Sequence, residues 1–166
     1  MFSEKIEAKL LVIEKLLSHP EFIENIHWRE QHFDANQNIV QSGETSQDLY
    51  FLKQGAARVI GKVTLDDNRN VSPGVCDLQA GEIFGELVLF DQQPRSATVV
   101  CISDCDVVVI DGVALLSFME SHKDIGFDLL RHLMNSMVKR LRNTNQKIFS
   151  LFSWGLKAHG IDDHIQ

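Results

Sequence analysis

From Asp124 to Trp154 the sequence contains no proline, and its only glycine is Gly126, near the start. Such a run predicts one helix of about 45 Å at ~1.5 Å per residue, longer than a compact domain needs for cover. Within it Leu130, Met134, Met137, Leu141, Thr144, Ile148 and Leu151 recur at alternating spacings of four and three, a heptad seam. Leu129, Leu133 and Phe127 lie to one side of that seam, placed to pack on the rest of the chain. A helix with two apolar faces predicts a parallel homodimer.

Upstream, the texture is different. Ile6, Leu10, Ile13 and Leu17 form one face of an amphipathic helix, which Ser18-His19-Pro20 ends. From about Ile26 to Ile110, short β-rich runs are separated by turn clusters at Asn36-Gln37-Asn38, Gln41 to Glu44, Gln54-Gly55, Asp66-Asp67-Asn68, Ser72-Pro73-Gly74 and Gln79-Ala80-Gly81. Ala57, Val59, Gly61, Val63 and Leu65 alternate with Arg58, Lys62, Thr64 and Asp66, the clearest strand pattern in the chain. The expected fold is α+β: an antiparallel β-roll, a jelly-roll-like double-stranded β-helix, with N-terminal helices and a long C-terminal dimerisation helix. The expected division is a helical segment over 1–25, the roll over 26–122 with a short helix at 113–121, the long helix over 123–154, and a tail over 155–166.

Composition excludes several classes. A net charge of −7 argues against nucleic-acid binding by the whole surface, and nucleic acid is not expected as a partner. The run Leu10 to Ile13 is too short and too closely flanked by charge for a signal peptide, and no stretch of about 18 apolar residues spans a bilayer, so a cytoplasmic protein without a membrane partner is expected. Cys76, Cys101 and Cys105 lack metal-ligand spacing and read as reduced thiols in packed strands. No histidine lies between Phe33 and Ser121, so a metal-dependent roll enzyme has no ligands there and no metal site is expected. Neither a Gly-x-Ser-x-Gly elbow nor a Gly-rich Lys-Ser/Thr loop is present; no catalytic residue and no cofactor is assigned.

One constellation carries chemistry. Gly81-Glu82-Ile83-Phe84-Gly85-Glu86-Leu87-Val88-Leu89-Phe90 is followed by Asp91-Gln92-Gln93 and Pro94-Arg95-Ser96-Ala97-Thr98-Val99. This stretch, 81–99, resembles the phosphate-binding cassette of cyclic nucleotide-binding domains, found in the bacterial catabolite activator protein and in regulatory subunits of cAMP-dependent protein kinase. The resemblance runs from about Ile26 through the long helix, with Gly43-Glu44 and Gly55 at the expected turns. Physically, a cyclic phosphodiester offers one charge and two exocyclic oxygens, which the Arg95 guanidinium can meet with paired hydrogen bonds. Gly85 permits close approach, the turn beginning at Glu86 presents free N–H groups, Ser96 offers a hydroxyl and Ala97 its N–H. Glu86 can accept from the ribose 2′-hydroxyl and pair with Arg95 in the empty site. Taken singly, Glu86 and Arg95 read as a surface ion pair; the ordered set of Gly85, Glu86, Pro94, Arg95, Ser96 and Ala97 favours the cassette. With Phe84 and Leu87 the resemblance implies a ligand site for cAMP, with cGMP as second choice.

In the catabolite activator family a Thr-Ser pair on the long helix contacts the purine; the matching positions here are Thr144 and Asn145, so the serine is replaced. Thr144 sits on the seam, where it either binds ligand or pairs across the dimer; Asn145 either meets the purine edge or is a solvated asparagine. Phe152 and Trp154 either cap the base or pack in the helix end. In DNA-binding members the long helix leads into a winged helix-turn-helix domain, whereas twelve residues follow Trp154 here, too few for one. The expectation is a stand-alone cAMP receptor, not an enzyme, that signals to an unidentified downstream protein. Two alternatives are a structural dimerisation module that has lost its ligand, and a DNA-associated regulator using the basic helix, where Lys123, Arg131, Lys139, Arg140, Arg142 and Lys147 face only Asp124 and Asp128.

Overall fold

A computed structural model describes residues 11–61, 63–64, 70–71, 73–91 and 93–158. The chain divides into two compact units, Met1–Leu130 and Arg131–Gln166. The described residues of the first begin in helix α1, residues 11–17, followed by strands β1 (Trp28–Phe33), β2 (Asn38–Val40), β3 (Asp48–Gln54), β4 (Ala56–Ile60), β5 (Val63–Thr64), β6 (Asn70–Val71), β7 (Gly74–Gln79) and β8 (Ile83–Phe84). A 3₁₀ helix (Glu86–Leu89), β9 (Thr98–Cys101), β10 (Cys105–Asp111) and helix α2 (Gly112–Ser121) follow. Helix α3 (Lys123–Ala158) begins in the first unit and continues through the second.

The strands form two four-stranded antiparallel sheets, ordered β1-β10-β3-β8 and β2-β9-β4-β7, and a β5-β6 ribbon. One apolar core joins the two sheets: Tyr50, Leu52, Phe84, Val107 and Val109 from the first, Ile39, Val40, Ala57, Leu78, Val99 and Cys101 from the second. This is the expected α+β roll. Because side chains alternate along a strand, Leu49, Phe51, Val108 and Ile110 point to the opposite face, and they are buried too. The continuous apolar run of β10 is the signature of a strand covered on both sides. Helix α2, whose Leu115 and Phe118 are buried, packs on β10 and covers that second face, and Ile13 and Leu16 of α1 are buried as well.

Several local expectations shift. On α1, Ile13 and Leu16 are the buried pair and Leu17 is half-buried, while Ile6 and Leu10 lie outside the described residues. The alternating run from Ala57 is two strands, because the pairing with β7 slips between Val59 and Ile60 and β4 ends there. Ala57 is buried and Arg58 exposed, as the alternation predicts; Lys62, Leu65 and Asp66 to Asn68 lie outside the described residues. Asp111 caps α2 by accepting from Ala114 N–H at 2.8 Å, so that helix starts at Gly112 and not 113. Phe127 is 65% exposed and does not pack on the roll. Ile125 and Leu129, four residues apart on one helical face, are buried instead; Phe127 projects about 200° away from Ile125.

In the second unit, α3 continues past Trp154 to Ala158, so residues 155–158 are helix and not tail. Leu141, Thr144, Asn145, Ile148 and Leu151 are all exposed along it, as are Phe152 and Trp154, which therefore do not pack in the helix end. Among the described residues, no helix is long and apolar enough to cross a membrane. Cys76, Cys101 and Cys105 are unbridged.

Candidate functional site

The cassette lies in the link from β8 to β9. Phe84 is buried and stacks on Tyr50 of β3, ring centroids 5.1 Å apart and 13° from parallel, which fixes the end of β8 against the core. The backbone then turns sharply at Gly85, whose φ of 76° is left-handed. A Cβ there would meet Arg95 Nη1 at 2.9 Å, Tyr50 Cδ2 at 3.1 Å and the Asp48 carbonyl at 3.3 Å. Both conformation and space demand glycine. The turn delivers Glu86 into the 3₁₀ helix with its side chain buried, while the N-terminus of that helix has no side-chain cap.

Arg95 approaches from the other arm. Its backbone is clamped to the β2–β3 loop: the Arg95 N–H donates to Glu44 O at 2.8 Å, and Gly43 N–H donates to Arg95 O at 2.9 Å. Next to it, Ser42 N–H donates to Thr98 Oγ1 at 3.0 Å. The guanidinium is 7% exposed. It donates through Nη1 to Gly85 O at 3.0 Å and through Nη2 to Ser46 Oγ at 3.1 Å and to the Asp48 carbonyl, and it lies 5.5 Å from the centre of the Tyr50 ring. Among the described residues, the guanidinium's hydrogen bonds go to main-chain carbonyls and a hydroxyl and not to Glu86, and Arg95 Nε is buried with no hydrogen-bond partner. A buried guanidinium with an orphaned donor is costly, and an anion placed against it would relieve that cost.

Of the expected site residues, the fold brings Phe84, Gly85 and Arg95 together, with Glu86 one residue on from Gly85. Leu87 is exposed on the 3₁₀ turn, Ser96 is exposed, and Ala97 is half-buried directly after Arg95. Thr144 and Asn145 are exposed on α3, in the second unit. Sequence reasoning did not single out Ser46, Asp48 and Tyr50. Asp48 acts through its carbonyl, which any residue carries; Tyr50 reads as an ordinary core position of β3; Ser46 sits in a loop recognised only through Gly43 and Glu44. Among the described residues, no cluster of three or more His, Cys, Asp or Glu side chains is arranged to hold a metal ion.

Comparison with known proteins identifies the family and the fold. The profile of the family described as the cyclic nucleotide-binding domain matches residues 30–122. The chain is 30% identical over 147 residues to the cAMP-activated global transcriptional regulator Vfr of Pseudomonas aeruginosa, covering 86% of this chain and 61% of that protein. It is 29% identical over 107 residues to a cAMP-dependent protein kinase regulatory subunit of Mucor circinelloides, covering 58% of this chain and 24% of that one. The chain spans about half to three fifths of the length of the curated bacterial regulators it matches. In fold it is similar to a cyclic nucleotide-binding domain from Methylobacillus flagellatus (TM-score 0.70, 20% identity, 89% of this chain and 84% of that one). It is also similar to the Thermus thermophilus catabolite activator protein (TM-score 0.59, 20% identity, 87% and 59%). The cassette sequence, the roll that presents it and the profile match over more than half of its length together place this chain in the cyclic nucleotide-binding domain family.

Proposed function

We propose that the chain is a cAMP receptor that signals by conformational change. The observation that carries this is the buried Arg95 guanidinium, whose Nε has no hydrogen-bond partner among the described residues. In this reading the cyclic phosphate lies against Arg95, with Ser96 Oγ, the Ala97 N–H and the first N–H groups of the 3₁₀ turn as further donors. Gly85 gives the phosphate room, Glu86 accepts from the ribose 2′-hydroxyl, and Phe84 and Leu87 border the site. Thr144 and Asn145 contact the base from α3 of the same or the partner subunit. The choice of cAMP over cGMP is supported by the names of the relatives, several of which are cAMP-activated regulators.

In this reading the receptor binds and releases its ligand intact, since the cassette offers hydrogen-bond donors for a stable anion. It works as a homodimer through the seam of α3, whose exposed Leu141, Ile148 and Leu151 are otherwise left in water. Isothermal calorimetry with cAMP, cGMP and cyclic dinucleotides is the test. One cAMP per chain at micromolar affinity or tighter, intact after long incubation, is the expected result. Absence of heat with every nucleotide would leave a structural module, and steady production of AMP would make the protein an enzyme.

A further inference from the structure

We propose that Asp48 is a built-in counter-charge to Arg95, held one hydroxyl away by Ser46, and that an arriving anion must compete with it, so that Asp48 sets how tightly the site binds. This rests on the receptor reading for the identity of the ligand; the counter-charge itself belongs to the empty protein and can be tested there.

Ser46 Oγ stands at the centre of a small network. It accepts from Arg95 Nη2 at 3.1 Å and from the Asp48 N–H at 3.2 Å. A hydroxyl has two acceptor lone pairs and one hydrogen. With both lone pairs taken, the hydrogen is left to donate, and Asp48 Oδ2 lies 3.3 Å away to receive it. The result is a directed chain from guanidinium through hydroxyl to carboxylate, in which each bond polarises the next. Ser46 and Asp48 are both half-buried, so the field of the carboxylate at Arg95 is screened less than that of a fully solvated group.

The backbone carrying this pair is held independently of the carboxylate. Asp48 opens β3 and pairs with Asp111 at the end of β10. Between Ser46 and Asp48, the Gln47 carbonyl accepts from Gly112 N–H at 3.1 Å, and a Cβ on Gly112 would collide with that carbonyl, so the start of α2 seats tightly on this segment. The Asp48 carbonyl that receives Arg95 Nη2 is therefore fixed by the ladder and by α2. Asp48→Asn removes the charge and keeps the shape, with an amide oxygen still able to accept from Ser46. Charge then decides the sign of each effect. In the empty site the carboxylate offsets the guanidinium; once a phosphate lies against Arg95, the same carboxylate is a like charge nearby and repels it. Losing that charge should make the empty protein less stable and the bound ligand tighter, whereas losing a residue that merely shapes the site weakens both. The sign also separates Asp48 from Glu86, whose loss weakens cAMP in the receptor reading.

The experiment uses double-mutant cycles on the full chain. Wild type, Asp48→Asn, Arg95→Ala, Ser46→Ala and the two double variants containing Asp48→Asn are melted without nucleotide, and wild type and Asp48→Asn are titrated with cAMP. Asp48→Asn should melt about 2–4 °C early, and that shift should vanish when either Arg95 or Ser46 is alanine. It should bind cAMP about three- to tenfold more tightly than wild type, with the gain shrinking as salt rises. The proposal is overturned if Asp48→Asn binds cAMP no more tightly than wild type, or if its melting shift persists without Arg95 or without Ser46. If wild type binds no nucleotide, the receptor reading fails, and melts with inorganic phosphate as the anion decide this one: Asp48→Asn must then gain more from phosphate than wild type does, and an equal or smaller gain overturns it.

Discussion

Replacing Arg95 by alanine separates a residue kept for a ligand from one kept for the fold. In the unliganded site the guanidinium makes three hydrogen bonds, to Gly85 O, Ser46 Oγ and the Asp48 carbonyl. At about 1.5–3 kcal/mol each for a charged donor, these favour the folded state by roughly 5–9 kcal/mol. Against them stand the burial of a full charge at 7% exposure, which costs several kcal/mol, and an N–H with no partner among the described residues, about 1–3 kcal/mol more. The two sides offset to within about 2 kcal/mol, so Arg95→Ala should move Tm by no more than ~8 °C. Binding responds differently. Without Arg95 the cyclic phosphate enters a buried site lacking its countercharge, which costs about 3–5 kcal/mol. At 1.4 kcal/mol per decade, that is a loss of two to four orders of magnitude in affinity, taking micromolar binding to millimolar or beyond. Differential scanning calorimetry and titration with cAMP on the same preparations measure both. A variant that binds cAMP like wild type refutes the placement of the phosphate. One that unfolds more than ~10 °C early shows that Arg95 serves the fold.

Other outcomes follow from neighbouring groups. Glu86→Ala should weaken cAMP by about 1–3 kcal/mol, since a hydrogen bond to a neutral hydroxyl is lost, and 2′-deoxy-cAMP should bind wild type with a similar deficit; equal binding of the two nucleotides removes that role. Leu141→Glu sets like charges in an apolar seam and should yield a monomer by sedimentation that binds cAMP more weakly by about 1–3 kcal/mol, whereas unchanged affinity in a monomer shows that α3 does not couple the sites. His32 Nδ1 lies 2.7 Å from Asp106 Oδ1, a hydrogen bond that, ahead of the charges of Asp106 and Asp34, raises the imidazole above its usual value of 6.5. A raised folded value means that the β1–β10 link is at full strength below pH ~6.5 and fades as pH rises through the folded value, so NMR titration should find His32 high and Asp106→Asn should bring it down. Burial, then a hydrogen bond to Cys105, pushes the Cys101 thiol up to about 12. It should therefore resist a disulfide reagent at pH 8 until the protein is unfolded; fast labelling of the native state contradicts this.

The resemblance to the family was legible before any coordinates because it falls on single residues in fixed order: a glycine, which the structure places at a left-handed turn, and an arginine after a proline with small residues beside it. The length of α3 was legible for a related reason, since an unbroken spacing of four and three over many turns leaves a chain few alternatives to a long helix. The roll could be read as a class from its turn clusters, and Ala57 inside with Arg58 outside came from simple alternation. Where alternation failed, beyond Ile60, a slip in the pairing with β7 decided the strand's end, and pairing between segments distant in sequence leaves no local trace. Likewise Phe127 belonged to the apolar set by spacing alone, and the packing of Ile125 and Leu129 left it in water.

What the sequence by itself determined was the family and the class of fold, with Gly85 and Arg95 as the residues on which the proposed site rests. How Arg95 is held was decided by tertiary structure. The sequence suggested Glu86 as its partner in the empty site, because opposite charges nearby are the default expectation. Instead, folding brings the Asp48 carbonyl, the Gly85 carbonyl, Ser46 Oγ and the Tyr50 ring around the guanidinium from three separate segments. Carbonyl groups are present at every residue, so no pattern of side chains could have marked these two. Their dipoles hold the charge in place without neutralising it, and a full charge kept that way stays ready for an anion.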